Sequence, residues 1–363
     1  MKTSDSTNPG RNKQHNAEPS PTFRKRLLQA AAVTIAVLLF ALPGCTPGTP
    51  DTSGSPSASI SPTAAPEKVV LVLDWVVNTN HTGIFVAKEL GYYAEAGLDV
   101  EIIQAPEMNF IEMVGVDAAQ FGICGQEQLL QARVTGQVPV VGIAAVLQHN
   151  TSGFASPVDR GILSPKDFEG KRYSGWGTPL EERFIETLMA KAGGDFSKVE
   201  MRMMGATDYF ASMATEADFA WIYYGWDGIG AEVRSIPLHF ILLQDIDPVL
   251  DFYSPLLITN EKTLTDNPSL VRRFLSATAK GYRTTVGQPE EACDLLLRST
   301  PETDREHALA SIRYLSGQFL DENGDFGSMD PRIWNDFTDW MVRNGLIASK
   351  PDLSGCYTTD YLP

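Results

Sequence analysis

Cysteine is scarce in this chain of 363 residues, with four in all. Setting Cys45 aside, Cys124, Cys293 and Cys356 are too few and too scattered for a disulfide framework or a zinc site, although a single Cys293 to Cys356 bridge stays open. Basic side chains are also in deficit: 29 Lys and Arg stand against 45 Asp and Glu, for a net charge of -16. So acidic a surface argues against nucleic acid or an anionic lipid face as partner. The usual signatures of catalysis and phosphate binding are missing as well. There is no GxSxG, no HExxH and no GxxxxGK[ST]. Gly225-Trp-Asp-Gly-Ile-Gly230 is rich in glycine but is not a dinucleotide fingerprint, and Asp321-Glu-Asn-Gly-Asp325 lacks the ligand spacing of a calcium loop. No metal and no cofactor is expected.

Long apolar runs are absent except near the start, where Leu27 to Leu42 is interrupted only by Gln29 and Thr34. The run is about as short as a membrane span can be. Lys2, Arg11, Lys13, Arg24, Lys25 and Arg26 precede it, the charge and apolar order of a secretory signal. Leu42-Pro-Gly-Cys45 resembles the bacterial lipobox, in which the cysteine receives a diacylglyceride and becomes the new N-terminus. Residues 1–44 are thus expected to be a lipoprotein signal peptide, with Cys45 the lipidated residue. Residues 45–67 hold almost only small, polar and Pro residues, cannot bury enough apolar surface to fold, and read as a tether. The signal segment carries six of the Lys and Arg but two of the Asp and Glu, so the remainder stands at -20 against -16 for the whole. These features place the protein at the cell membrane, held by lipid on the extracytoplasmic face.

The body alternates strand-like and helix-like segments. Val69–Leu73, Leu98–Ile103, Ala119–Cys124 and Val138–Leu147 read as strands, with helices from Gly83, Phe110 and Gln126 between them. The pattern restarts with strands at 172–174, 199–204 and 219–223 and a helix over Leu180–Ala192. Four helices follow, from Pro268, Glu290, Thr303 and Pro331. Alternation of this kind predicts an α/β protein with parallel sheets covered on both faces. Two such lobes joined by crossing strands form a cleft that strand ends face from both sides. The expected boundaries are 68–153 for the first part of lobe I, 154–251 for lobe II and 252–363 for the return to lobe I with the C-terminal helices. Hinges are expected near Ser152–Ser156 and Asp251–Pro255.

Four blocks in order, LDWVVNTNHTGIFVAKELGYYAEAGLDVEII from Leu73, SGWGTPLEERF from Ser174, DFAWIYYGWDGIGAE from Asp218 and NPSLVRRFLSATAKGY from Asn267, resemble the NMT1/THI5-like family over residues 68–345. More narrowly they look like the solute-binding lipoproteins of ABC importers for thiamine pyrimidine precursors. The resemblance implies a two-lobed periplasmic-binding-protein-like fold of type II, with the ligand in the inter-lobe cleft. It implies a monomeric receptor whose partners are a small heterocycle, close to formylaminopyrimidine, and an ABC permease with its ATPase. Relatives that carry riboflavin or organic sulfonates define the alternative ligands. The family also has a branch that synthesises the pyrimidine from pyridoxal phosphate and its own histidine. Its lysine position falls here on Cys124 and its histidine position on Gln128, so neither the imine nor the sacrificed imidazole is available. The chain is therefore not expected to be an enzyme.

A neutral heterocycle is held by aromatic stacking with polar groups at its edges. Trp75, Trp176, Tyr223, Tyr224 and Trp226 stand at strand ends or in the turns beyond them, and neighbours on a strand face opposite ways, so one of Tyr223 and Tyr224 points away. Glu182, in the first turn of its helix, leads the polar candidates, with Asn78, Gln126 and Glu127 in equivalent places on the other lobe. His81 is open between contacting ligand and fixing its own loop; Asp74 is read as a loop residue.

Overall fold

The computed structural model describes residues 65–104, 109–203, 205, 209–215 and 217–363. The expected signal peptide, residues 1–44, and Cys45 lie outside the described residues, as does most of the expected tether. Strand β1 (Glu67–Leu73) runs parallel to β2 (Leu98–Gln104), in register from Glu67 opposite Leu98 to Leu73 opposite Gln104. With β3 (Phe121–Cys124), β4 (Val140–Ala145) and β10 (Leu256–Asn260) they form one sheet, ordered β2-β1-β3-β10-β4. The second sheet has the order β7-β6-β8-β5-β9, from β5 (Ser152–Pro157), β6 (Arg172–Gly175), β7 (Glu200–Met203), β8 (Phe219–Tyr223) and β9 (Leu238–Leu242). Central strands such as VVGIAA of β4 are buried along their whole length, as strands covered on both faces must be.

Neither sheet is purely parallel, contrary to expectation. β10 is antiparallel to β3 and β4, and β5 is antiparallel to β8 and β9. The reason lies in the crossings. β3, β6 and β8 run toward the gap between the sheets, whereas a strand arriving from the other lobe enters its sheet from that gap and must run the opposite way. β5 is also where a hinge was expected, at Ser152–Ser156. It is instead a buried strand paired on both sides, and the chain crosses between sheets at 146–151 and 243–255. The two crossings are tied to each other. Asn150 N–H donates to Asp251 Oδ1 at 2.8 Å, Asn150 Nδ2 to the Leu250 carbonyl, and His149 Nδ1 lies 2.7 Å from Asp251 Oδ2.

Two helices pack closely on one another. Thr82–Glu89 and the long helix Pro268–Gly287 cross where both carry glycine, and a Cβ on Gly281 would overlap the Gly83 carbonyl. The helix Pro331–Arg343 lies across both cores: Trp334 stacks on Tyr357 beside the first sheet, while Phe337 stacks on Phe252 and Trp340 on Phe184 of the second. Cys124, Cys293 and Cys356 are all free and buried, so the bridge that spacing left open is not made; Cys293 and Cys356 belong to different apolar clusters.

Candidate functional site

Loops at the ends of β1, β3, β6 and β8 build the site. After β1, a hydrogen-bonded turn occupies Thr79–His81. His81 is buried; its Nδ1 accepts from the Asn78 N–H at 3.2 Å, so Nε2 carries the ring hydrogen and donates to Asp74 Oδ1 at 2.9 Å. The Asn78 Oδ1 accepts from Asn80 N–H, and its Nδ2 donates to the Val76 carbonyl. Asn78 and His81 thus spend their polar atoms on the loop itself, and the loop presents Trp75, 38% exposed, and Val76 outward.

The turn after β6 is organised by a residue the sequence reading passed over. Glu181 is buried, and its carboxylate accepts from the backbone N–H groups of Trp176, Gly177 and Thr178 at 2.9–3.1 Å. Three backbone donors at a helix start are a natural seat for a carboxylate. Gly177 has φ +81°, which lets the chain double back there. Glu182, the leading candidate, points the other way. It is part-exposed beside Arg183, whose guanidinium also pairs with Glu186, because one step along a helix turns a side chain by about 100°. The signal that could have found Glu181 is its third place after Thr178, where a capping box puts its acid.

Trp75 and Trp176 come from different lobes and meet. Their ring centroids are 5.3 Å apart and their planes 78° to each other, with Trp176 49% exposed. Two parallel walls around a third ring would need about 7 Å, so an occupant stacked between them has to part them.

The floor is the start of the helix Gln126–Val134, beyond β3. Gln126 is fully buried and exchanges hydrogen bonds with Tyr253: its N–H donates to the Tyr253 carbonyl at 2.9 Å and its Oε1 accepts from Tyr253 N–H at 3.0 Å. Among the described residues its Nε2 is buried with no partner, and so is Oε2 of Glu127, a residue 6% exposed. Burial, with the charge of Asp74 adding to it, pushes the Glu127 carboxyl up to about 7. A Cβ on Gly125 would overlap that carboxylate, which folds back over the glycine.

From lobe II, Tyr223 faces this floor. Its hydroxyl lies 3.2 Å from Ser254 Oγ, and burial first, then the charges of Glu127, Asp74 and Glu181, pushes its ionisation up. Tyr224 takes the opposite direction, as strand alternation requires: its ring packs on Phe240 and Tyr314 and its hydroxyl on Glu232. It lines a surface pocket of about 460 Å³ with Ile236, Leu238 and Phe240 that shares no other residue with the site. Trp226 is at a seam between lobes, its ring on His307 at 4.2 Å and its carbonyl accepting from His307 Nε2 at 2.8 Å. The same helix, Arg305–Leu315, places Ser311 Oγ between Thr79 Oγ1 and the Gly225 carbonyl, a contact no local pattern announces. Trp75 and Trp176 therefore meet, and Glu127 lies near enough to Tyr223 for its charge to act on it, whereas Glu182, Tyr224 and Trp226 face elsewhere and Asn78 and His81 serve as supports.

Residues 78–292 match the family described as NMT1/THI5 like. The chain belongs to that family. A formylaminopyrimidine-binding protein of Halalkalibacterium halodurans is 28% identical over 76% of this chain and 84% of its own. A riboflavin-binding protein RibY of Chloroflexus aurantiacus is 23% identical over 93% and 99%, and a 4-amino-5-hydroxymethyl-2-methylpyrimidine phosphate synthase of Legionella pneumophila 26% identical over 82% and 92%. In fold, the chain superimposes on the alkanesulfonate-binding protein SsuA of Xanthomonas axonopodis pv. citri, solved with MOPS, with a TM-score of 0.63 at 11% identity, covering 82% of this chain and 99% of that one. The fold is the two-lobed α/β arrangement of periplasmic binding proteins.

Proposed function

We propose that this protein is the extracytoplasmic solute-binding component of an ABC importer, a monomer tethered by lipid at Cys45, that captures a thiamine pyrimidine precursor of the formylaminopyrimidine type. The observation that carries the reading is the Trp75–Trp176 pair, one ring from each lobe. Aromatic walls suit a flat heterocycle, and a ligand touching both lobes stabilises the closed form in proportion to the contacts it makes there and nowhere else. A sulfonate asks for an arginine or a cluster of free backbone N–H groups. Here the three N–H groups after β6 are taken by Glu181, and Arg183 pairs with Glu182 and Glu186.

The same residues speak against synthesis. Cys124 is buried, its thiol pushed well up by burial and then by Glu127 and Asp74, and Gln128 is used to cap its helix by accepting the Gly125 N–H at 2.9 Å. Neither offers the amine or imidazole that a pyridoxal-dependent route consumes. No helix among the described residues is long and apolar enough to cross a membrane. The reading is tested by thermal shift with formylaminopyrimidine, hydroxymethylpyrimidine, thiamine, riboflavin and taurine. A ligand at about 100 times its Kd adds roughly 2.7 kcal/mol of stability. A rise with a pyrimidine alone supports the proposal; a rise with riboflavin or taurine alone replaces the ligand.

A further inference from the structure

Glu127 and Gln126 pose a problem that the fold by itself leaves unsolved. A buried polar atom without a partner costs on the order of 1–3 kcal/mol, more for a charged one, and the helix start after β3 holds two of them, Glu127 Oε2 and Gln126 Nε2. Both side chains are more than nine-tenths buried. The backbone N–H groups of Glu127 itself and of Gln128 offset part of the cost, less than burial adds. From its own lobe Glu127 faces Asp74, whose Oδ1 is engaged by His81, and the Cys124 thiol. From the other lobe it faces the Tyr223 hydroxyl, which lies against Ser254, with Glu181 beyond it committed to three backbone N–H groups. The charges that act most strongly here are all carboxylates. Gly125 lies beneath, its missing side chain making the room into which the Glu127 carboxylate folds.

We propose that Glu127 is the specificity-determining residue of the cleft and reads an exocyclic amine on the heterocycle, with Oε2 accepting an amine hydrogen. The inference rests on the pyrimidine-receptor reading and deepens it. An unused, buried carboxylate oxygen complements an exocyclic amine, which presents hydrogens for it to accept. A ligand lacking the amine would leave the carboxylate buried and unpaired, the situation in which binding sites discriminate most strongly. The surrounding carboxylates favour a neutral or proton-accepting ring and disfavour an anion.

The test uses calorimetric titration of the full-length protein at about pH 8, where a carboxyl standing near 7 is ionised. The probes are 4-amino-5-hydroxymethyl-2-methylpyrimidine and the same ring without the 4-amino group. Wild type is expected to prefer the amine tenfold or more, since a charge-assisted hydrogen bond is worth about 1.5–3 kcal/mol and 1.4 kcal/mol is a factor of ten. Glu127→Met should bring the two ligands within about threefold by weakening only the amine. Glu127→Gln, whose amide oxygen still accepts, should lower amine affinity by about three- to tenfold and leave the other probe unmoved. Unchanged amine affinity in Glu127→Gln overturns the proposal even if the Met variant fails to fold, and so does a full wild-type preference in Glu127→Met. Wild type that binds neither pyrimidine but binds riboflavin overturns the receptor reading itself, whereas wild type that binds the amine beside unaffected variants overturns only the role of Glu127.

Discussion

Replacing Glu127 by Gln should make the ligand-free protein more stable at alkaline pH, although it removes the charge proposed to read the ligand. The carboxyl stands near 7 in the folded protein against an ordinary value of 4.5, raised by burial and by Asp74. Between those values the folded protein holds a proton that the unfolded chain has already released, so unfolding releases a proton and stability falls as pH rises through the window. Below 4.5 the carboxyl is neutral in both states and costs nothing. Above about pH 8 the folded protein carries the whole penalty, roughly 3 kcal/mol at 1.36 kcal/mol per pH unit of displacement. Residue 127 is 6% exposed, so little solvent screening reduces that figure. Gln keeps the shape and cannot ionise. Urea unfolding of wild type and Glu127→Gln from about pH 4.5 to 8 should show the stability difference shifting toward the variant by about 3 kcal/mol, with every other titrating group cancelling in the comparison. A difference that stays flat within about 0.5 kcal/mol would refute the claim that the folded protein holds this carboxyl in a costly place.

Further expectations follow from the same contacts. Trp75→Ala and Trp176→Ala should each weaken binding of the recognised heterocycle by roughly 1–3 kcal/mol with unchanged melting behaviour, and unaltered affinity in both would sink the stacking model. Gly281→Ala should lower stability by about 1–3 kcal/mol or more, because its Cβ meets the Gly83 carbonyl and not a movable side chain; thermal denaturation at an unshifted midpoint would contradict this. Glu181→Ala strands three backbone N–H groups and should cost about 3 kcal/mol while loosening the turn that carries Trp176, seen as higher proteolytic or hydrogen-exchange susceptibility at 175–179. Gly125→Ala should displace the Glu127 carboxylate and weaken amine recognition while leaving the fold intact, and a variant titrating like wild type would count against the packing described.

Much of this architecture is local and was legible without coordinates. Apolar runs such as VVLVL and FAWIY read as strands and are strands, and the long helix starts at Pro268 as the pattern indicates, with Asn267 capping it. The loops beyond β1, β3, β6 and β8 stood out as a candidate site because ligands of α/β sheets sit at the carboxyl ends of strands. What sequence could not decide depends on contacts between distant segments. Whether Glu181 or Glu182 turns inward is set by the direction in which one helix docks, and one residue reverses it. That Asn78 and His81 serve their own loop follows from Asp74 being close enough to take the second ring nitrogen. That Tyr223 faces Glu127 while Tyr224 faces Phe240 follows from the register of β8 against β5. The sequence by itself determined which elements exist and which residues stand at their ends; the tertiary structure decided which of those side chains share one buried space, because burial and partnership are properties of segments more than 100 residues apart, as Trp75 and Trp176 are.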